Sequence, residues 1–115
     1  MSRIDKINEE VRREVAEVIR SLKDSRIPMM TSVVAVNVTK DLRYAKVYVS
    51  VMGDEATKKK AIEGLKSAAG FVRREMGRRV DLRYTPEFIF ELDRSIEHGA
   101  HINDLLRGAE HGGKD

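Results

Sequence analysis

The densest group of side chains able to bind a ligand is a run of basic residues between positions 66 and 83. Six basic residues stand against two acidic ones there, whereas the whole chain of 115 residues has 22 Lys and Arg against 19 Asp and Glu. Five of the six are arginine, whose planar guanidinium can make two hydrogen bonds to one phosphate. The run indicates a polyanionic partner, although the solvated helix face of a charge-rich protein gives the same pattern. The six residues are Lys66, Arg73, Arg74, Arg78, Arg79 and Arg83.

Two further groups raise the question of catalysis or metal binding. His98 and His101 are three residues apart, but the chain has no Cys, Gly99 disfavours a helix there, and the H-E-x-x-H spacing of zinc proteases is absent. Four glutamates near the N-terminus alternate with arginines, which indicates ion pairs on a solvated helix face rather than acid–base groups. No phosphate-binding glycine loop or nucleophile motif occurs. We therefore predict a protein that is not an enzyme and has no cofactor or metal. The glutamates are Glu9, Glu10, Glu14 and Glu17.

The length and composition favour one small domain in a reducing compartment. A chain of 115 residues supports a single core. The absence of Cys excludes disulfides, iron–sulfur clusters and thiolate nucleophiles. The start, MSRIDKINEE, lacks the apolar core of a signal peptide, and no apolar stretch approaches the ~20 residues that span a bilayer. We expect a cytoplasmic protein with no membrane partner.

The elements that hold the basic run are predicted from apolar periodicity. Apolar residues recur every three or four positions from Ile4 to Leu22, which predicts one long helix that is capped by Ser2 and ends before Pro28. A period of two then predicts an antiparallel hairpin with a tight turn at 40–43. Its strands are Thr31–Thr39 and Tyr44–Val51, and the first is expected to place Val34, Val36 and Val38 on one face and Val33, Ala35 and Asn37 on the other.

The second half of the chain returns to a helical pattern. Asp54 is placed to cap a helix, which the small residues Ser67, Ala68, Ala69 and Gly70 interrupt, so we predict two helices joined by a kink. The apolar stripe of the second helix is expected to face the core and consists of Phe71, Val72, Met76 and Val80. Pro86 then begins a third strand, Glu87–Leu92. A short helix at Ile96–Leu106 and a disordered tail at 108–115 are expected to follow. The pattern predicts an α+β fold in the order α-β-β-α-(kink)-α-β, with helices on one face of a three-stranded sheet.

Several segments, taken in order, resemble bacterial ribosome-binding factor A. These are RIDKINEEVRREVAEVI, VTKDLRYAKVYVSVMGDE and AAGFVRREMGRRVDLRYTPEFIFELDRSIEHGAHINDLL, which together cover nearly all of the chain from Arg3 to Leu106. The resemblance implies a type II K-homology (KH) fold in one domain, residues 1–107. The Gly-x-x-Gly loop of ordinary KH domains is absent, and Ala68-Ala69-Gly70 matches the Ala-x-Gly kink that replaces it in this family.

The resemblance also implies a function. It predicts a non-catalytic assembly factor that binds the free 30S subunit and 16S rRNA, promotes late maturation and 5′-end processing of that rRNA, and supports growth in the cold. Other assembly factors are further expected partners, and the protein is expected to be a monomer. The chain has few aromatic residues and no Trp, so we expect phosphate contacts and shape to dominate over base stacking. The predicted RNA-binding residues are Arg43, Lys46, Lys66, Arg73, Arg74, Arg78 and Arg79.

Two alternatives remain open at this stage. One is a generic KH-like protein that binds single-stranded RNA, which short oligonucleotides would reveal. The other is a protein-interaction module that meets a partner through a face carrying Val33, Ala35 and Ile89, which salt-insensitive binding to a ribosomal protein or a GTPase would reveal.

Overall fold

The computed structural model describes residues 2–94. The predicted helix at Ile96–Leu106, the predicted tail at 108–115, both histidines of the His98–His101 pair and the end of the predicted domain lie outside the described residues. The elements are, in chain order, α1 Arg3–Ser21, β1 Ser32–Val38, β2 Tyr44–Ser50, α2 Glu55–Ser67, α3 Ala69–Arg79 and β3 Glu87–Leu92.

The sheet has the strand order β1-β2-β3. β1 and β2 pair antiparallel, whereas β2 and β3 pair parallel, so α2 and α3 form the crossover between the two parallel strands. A parallel pair needs such a long connection because the chain must return to the same end of the sheet. The predicted α+β fold and its element order are confirmed, and the arrangement is compatible with the type II KH fold.

The helix starts follow from local capping. The Oγ of Ser2 accepts a hydrogen bond from the Asp5 amide at 3.1 Å, and the Asp5 carboxylate accepts one from the Ser2 amide at 3.3 Å. This capping box satisfies two amides at a helix end. The Asp54 carboxylate caps α2 through the Thr57 amide at 2.8 Å. Both predicted caps are confirmed.

The loop between α1 and β1 is closed by a local ion pair. The Asp24 carboxylate accepts a hydrogen bond from the Arg26 amide at 2.9 Å, and the Arg26 guanidinium lies 2.6 Å from it. These hydrogen bonds lower the pKa of Asp24 to about 2. The pair is therefore fully charged at neutral pH and holds the loop in place immediately before Ile27 and Pro28.

A β-bulge changes which side chains of β1 face the core. Val33 pairs with Val49, and Ala35 pairs with Tyr48, so Val34 is an extra residue in β1. The extra residue reverses the alternation, with the result that Val33 packs against the core and Val34 is 45% exposed. The prediction that Val34 shares a face with Val36 and Val38 is wrong, because strict alternation cannot anticipate a bulge.

The junction between α2 and α3 is a single residue. The Ala68 amide donates to the carbonyls of Gly64 and Leu65, each at 3.1 Å, and the Ala68 carbonyl accepts from the Val72 amide at 2.9 Å. The chain therefore changes direction at Ala68 while its hydrogen-bonded groups remain satisfied. The predicted kink between two helices is confirmed.

The core lies between the three helices and one face of the sheet. Val72 and Met76 of α3 are buried there, but Phe71 is 41% exposed. Phe71 precedes Val72 by one residue, about 100° around the helix, so it cannot share the stripe of Val72 and Met76. Its predicted place in the core is wrong. Among residues 2–94 no helix covers the opposite face of the sheet. The buried strand residues are Val36, Val38, Ala45, Val47, Val49, Phe88 and Phe90.

Candidate nucleic-acid interface

One face of α3 presents two arginines and an aromatic ring to solvent. Arg74 and Arg78 are four residues apart and Phe71 precedes Arg74 by three, so the three side chains share one side of the helix. The Arg78 side chain is 77% exposed and lies 3.2 Å from the Glu75 carboxylate. Within the described chain, Arg74 has no ion-pair partner. We call Phe71, Arg74 and Arg78 the α3 basic face.

Arg79 lies on a different side of α3, where it contacts α1. Its Nη1 is 3.1 Å from the Glu14 carboxylate and 3.3 Å from the Glu17 carboxylate, and its side chain is 33% exposed. The hydrogen bond that Arg79 donates to Glu14 raises the pKa of Arg79. Glu14 and Glu17 therefore pair across the helices, in contrast to the expected pairing within the first helix. Arg79 joins α1 to α3, and the two carboxylates largely neutralise its charge, so it attracts an anionic ligand weakly.

Arg73 also has an internal partner. Its Nε donates to the Thr85 carbonyl at 3.2 Å, which fixes the loop before β3 to α3. The carbonyl is neutral, so this hydrogen bond does not neutralise the guanidinium. It does direct the side chain toward the loop and away from the α3 basic face.

Lys66 lines a groove of about 620 Å³ between α2 and β3. No residue of α3 lines this groove. Three carboxylates lie beside the three basic residues there, so the formal charges of the groove balance. Its lining residues are Glu55, Lys59, Ile62, Glu63, Lys66, Phe90, Glu91, Leu92 and Arg94.

The two predicted residues of the hairpin region lie elsewhere. Lys46 alternates with the buried Ala45 and Val47, so it projects from the face of the sheet opposite the helices, where its Nζ is 3.5 Å from Glu91. Arg43 precedes β2 at the end of the sheet and lies 4.0 Å from Asp41. The seven predicted residues therefore do not form one continuous surface in this structure.

The kink residues differ in how closely they are packed. Ala68 and Ala69 pack against the core, whereas Gly70 is exposed and a Cβ there would meet only Arg74 Nη1, at 3.7 Å. A neighbouring segment approaches the helix backbone closely at Gly64 rather than at Gly70, because a Cβ at Gly64 would lie 2.9 Å from Ile27 Cγ1. Sequence reasoning missed Gly64, although a glycine inside an amphipathic helix is itself a signal of close packing.

A second basic site involves Tyr84, which sequence reasoning did not single out. A cleft of about 520 Å³ lies between the start of α1, the turn between β1 and β2, and the loop before β3. Arg83 adjoins Tyr84 in sequence, and this pairing of a cation with an aromatic residue was the available signal. We call this site the Tyr84 cleft. Its lining residues are Arg3, Ile4, Ile7, Lys40, Asp41, Leu42, Arg43, Arg83 and Tyr84.

The described residues provide binding groups rather than a metal centre. Within residues 2–94, no three His, Cys, Asp or Glu side chains are grouped so that they could hold a metal ion. In the same range, none of the helices combines the length and the apolar character needed to cross a bilayer. The chemistry available at the sites above is the hydrogen bonding and charge of exposed guanidinium and ammonium groups.

Comparison with known proteins identifies the family. The model of the family described as Ribosome-binding factor A matches residues 3–106. The chain belongs to the ribosome-binding factor A family. A family member from Acetivibrio thermocellus is 63% identical over 107 residues, which cover 92% of this chain and 87% of that relative. The family consists of ribosome-binding factors and not of enzymes, which agrees with the prediction from the motifs.

Two structures of ribosome-binding factor A from Thermus thermophilus resemble the fold. The crystal structure of that protein has a TM-score of 0.72 and 27% identity, over 79% of this chain and 97% of that one. The second is a homology model of ribosome-binding factor A from Thermus thermophilus, fitted into the cryo-EM map of its complex with the 30S subunit. It has a TM-score of 0.64 and 30% identity, over 76% of this chain and 91% of that one.

Proposed function

We propose that the protein is an assembly factor that binds the free 30S subunit and assists late maturation of 16S rRNA. The observation that carries this proposal is the similarity to a ribosome-binding factor A that was fitted into the map of a 30S complex. Processing of the 5′ end of 16S rRNA and support of growth in the cold are the finer parts of the proposal.

The exposed cations supply a physical basis for binding rRNA. Arg74 and Lys66 have no ion-pair partner among residues 2–94, and Arg78 is exposed beside a single carboxylate. Such side chains neutralise phosphates and release counterions without reading base sequence. We propose these three as the principal phosphate ligands. Lys46, Arg73 and Arg79 are held by partners within the protein, and Arg43 lies apart from α3 at the end of the sheet, so we propose these four as secondary contacts.

Co-sedimentation with separated ribosomal particles tests the proposal. Purified protein is mixed with 30S, 50S and 70S particles at low and moderate salt, and the bound fraction is measured. We expect binding to free 30S alone, and we expect it to weaken as salt rises. Equal binding to all three particles would indicate nonspecific attraction to polyanions. Salt-insensitive binding would favour a protein-interaction module instead, and no binding would reject the proposal.

The finer part of the proposal is tested in cells. A strain without the protein is grown in the cold, and the 5′ ends of its 16S rRNA are mapped by primer extension. We expect the precursor end to accumulate and the wild-type protein to restore the mature end. Purified protein incubated with precursor rRNA and Mg²⁺ is expected to leave it uncut. A normal ratio of precursor to mature ends in the strain would contradict the processing role.

A further inference from the structure

The Tyr84 cleft concentrates positive charge at one end of the sheet. Four basic residues line it, and Asp41 is the single carboxylate among its lining residues. Arg3 and Lys40 have no ion-pair partner among the described residues. The four basic residues are Arg3, Lys40, Arg43 and Arg83.

The single carboxylate is already engaged by hydrogen bonds. Asp41 accepts one from the Thr39 hydroxyl at 2.7 Å and one from the Arg43 amide at 3.0 Å. The Thr39 hydroxyl, followed by the Arg43 amide, lowers the pKa of Asp41. Asp41 therefore stays charged, and its hydrogen bonds shape the turn. Its carboxylate comes no closer than 4.0 Å to the Arg43 guanidinium. The cleft retains an excess of positive charge that an anion can neutralise.

The aromatic ring in the cleft is accessible. Tyr84 is 49% exposed, and the guanidinium carbons of Arg43 and Arg83 lie 5.9 Å and 5.8 Å from its ring centroid. These distances are close to the ~6 Å limit for a cation–π contact, so both contacts are at the weak end of that interaction. A flat ligand can stack on the ring while the guanidiniums turn toward its charged groups.

The floor of the cleft is apolar and its size suits one small planar group. Ile4, Ile7 and Leu42 line it below the charged groups. The side chain of Leu42 is buried. Its backbone has a φ of +63°, which is uncommon for a residue other than glycine. A volume of about 520 Å³ lies within the ~300–1,000 Å³ usual for small-ligand sites.

We propose that the Tyr84 cleft binds one unpaired nucleotide of ribosomal RNA, with the base stacked on Tyr84 and the flanking phosphates bound by the four basic residues. This proposal rests on the proposed function, and it adds a base contact on a surface separate from the α3 basic face. The combination of an exposed ring with surrounding cations favours a nucleotide over an acidic peptide. A peptide carboxylate would pair with the cations but would make no stacking contact with the ring. Unpaired bases stack on aromatic rings and on guanidinium planes in the same manner.

Fluorescence anisotropy with a labelled single-stranded hexanucleotide tests this site. The variants are Tyr84→Ala, which removes the ring, and Tyr84→Phe, which keeps it. Lys60→Ala on α2 is the matched control for a surface change away from the cleft, since α2 does not line it. We expect Tyr84→Ala to weaken binding by about 5- to 150-fold, the range that alanine replacement of a stacking aromatic gives, and Tyr84→Phe and Lys60→Ala to stay within about 2-fold of wild type.

Competitors identify the ligand class. A 6-base-pair duplex of the same sequence is expected to compete poorly, because its bases are already stacked, and an acidic hexapeptide is expected not to compete. Free UMP and AMP are expected to compete more weakly than the hexanucleotide, since they carry a single phosphate group. Equal competition by the duplex, or effective competition by the peptide, would overturn the assignment of an unpaired nucleotide.

The outcome is separable from that of the proposed function. If Tyr84→Ala binds the hexanucleotide as wild type does, or if wild type does not bind it, the nucleotide site is rejected even when the protein still sediments with 30S. If wild type does not sediment with 30S, the ribosomal source of the nucleotide is rejected whatever the oligonucleotide result. The melting temperature of Tyr84→Ala is measured in parallel, and Tyr84→Leu, which removes the ring but keeps an apolar side chain, replaces it if the alanine variant is unstable.

Discussion

At the residue scale, two glycines near the α2–α3 junction differ in what surrounds them. A Cβ at Gly64 would lie 2.9 Å from Ile27 Cγ1 and 3.3 Å from Arg26 Cβ, in the loop after α1. A Cβ at Gly70 would meet only the movable end of Arg74. The backbone of α2 therefore approaches the loop closely at Gly64, whereas Gly70 occupies open space.

We predict opposite effects for the two alanine substitutions. Gly64→Ala forces the loop away from α2 and lowers stability by about 1–3 kcal/mol, the usual cost of overpacking. Gly70→Ala gains helix propensity in α3 and raises stability by up to about 1 kcal/mol. Urea unfolding followed by circular dichroism measures both. A Gly70→Ala variant that is clearly less stable than wild type would show that the kink itself requires glycine.

At the scale of elements, Arg79 connects α1 to α3 through Glu14 and Glu17. This contact sets the position of the helix that carries the α3 basic face. Arg78, which precedes Arg79 and is more exposed, pairs only with Glu75 on its own helix within the described chain. Neighbouring arginines of one sequence run therefore have different roles, one between elements and one at the surface.

We predict that Arg79→Ala lowers the melting temperature more than Arg78→Ala does. Removal of Arg79 leaves Glu14 and Glu17 without their shared cation, whereas removal of Arg78 disrupts one exposed pair. The difference should shrink in high salt, which screens partly exposed charges. Thermal unfolding at low and high salt provides the measurement. If Arg79→Ala melts like wild type and weakens 30S binding as much as Arg74→Ala, Arg79 is a ligand contact rather than a link between helices.

The elements themselves were largely predictable, because local rules decide them. The caps at Ser2 and Asp54 and the kink at Ala68 depend on a few neighbouring residues, and each was found where the sequence pattern indicated. The bulge at Val34 and the exposed ring of Phe71 depend on pairing and packing between distant segments, and both were predicted wrongly.

The candidate site was less predictable than the fold for the same reason. A run of basic residues reveals its charge but not its partners, so the ion pairs that Arg79 makes with α1 could not be read from it. The Tyr84 cleft joins three segments that are far apart in sequence. Only the fold brings these segments together, and the local cue beside Tyr84 was a single adjacent arginine.

At the scale of the whole molecule, the net charge of +3 is small for a protein that binds a polyanion. Charges at physiological salt are screened beyond about 8 Å, so the local density of unpaired cations matters more than their sum. Lys66, Arg74 and Arg78 lie on exposed surfaces with at most one carboxylate partner among residues 2–94. Binding should therefore depend on these positions far more than on an equal number of cations elsewhere.

We predict that replacing Lys66, Arg74 and Arg78 together by Ala reduces the salt dependence of 30S binding. Each lost phosphate contact removes about 0.7–0.9 from the slope of log affinity against log salt, so the slope should decrease in magnitude by about 2–3. The control is the triple alanine variant of Arg13, Lys23 and Lys60, which removes the same charge from other exposed positions and should change the slope by less than about 1. Binding is measured by sedimentation over a series of salt concentrations, with melting temperatures to verify folding. Equal slopes for the two triple variants would mean that net charge, rather than the placement of these three side chains, determines the attraction to the subunit.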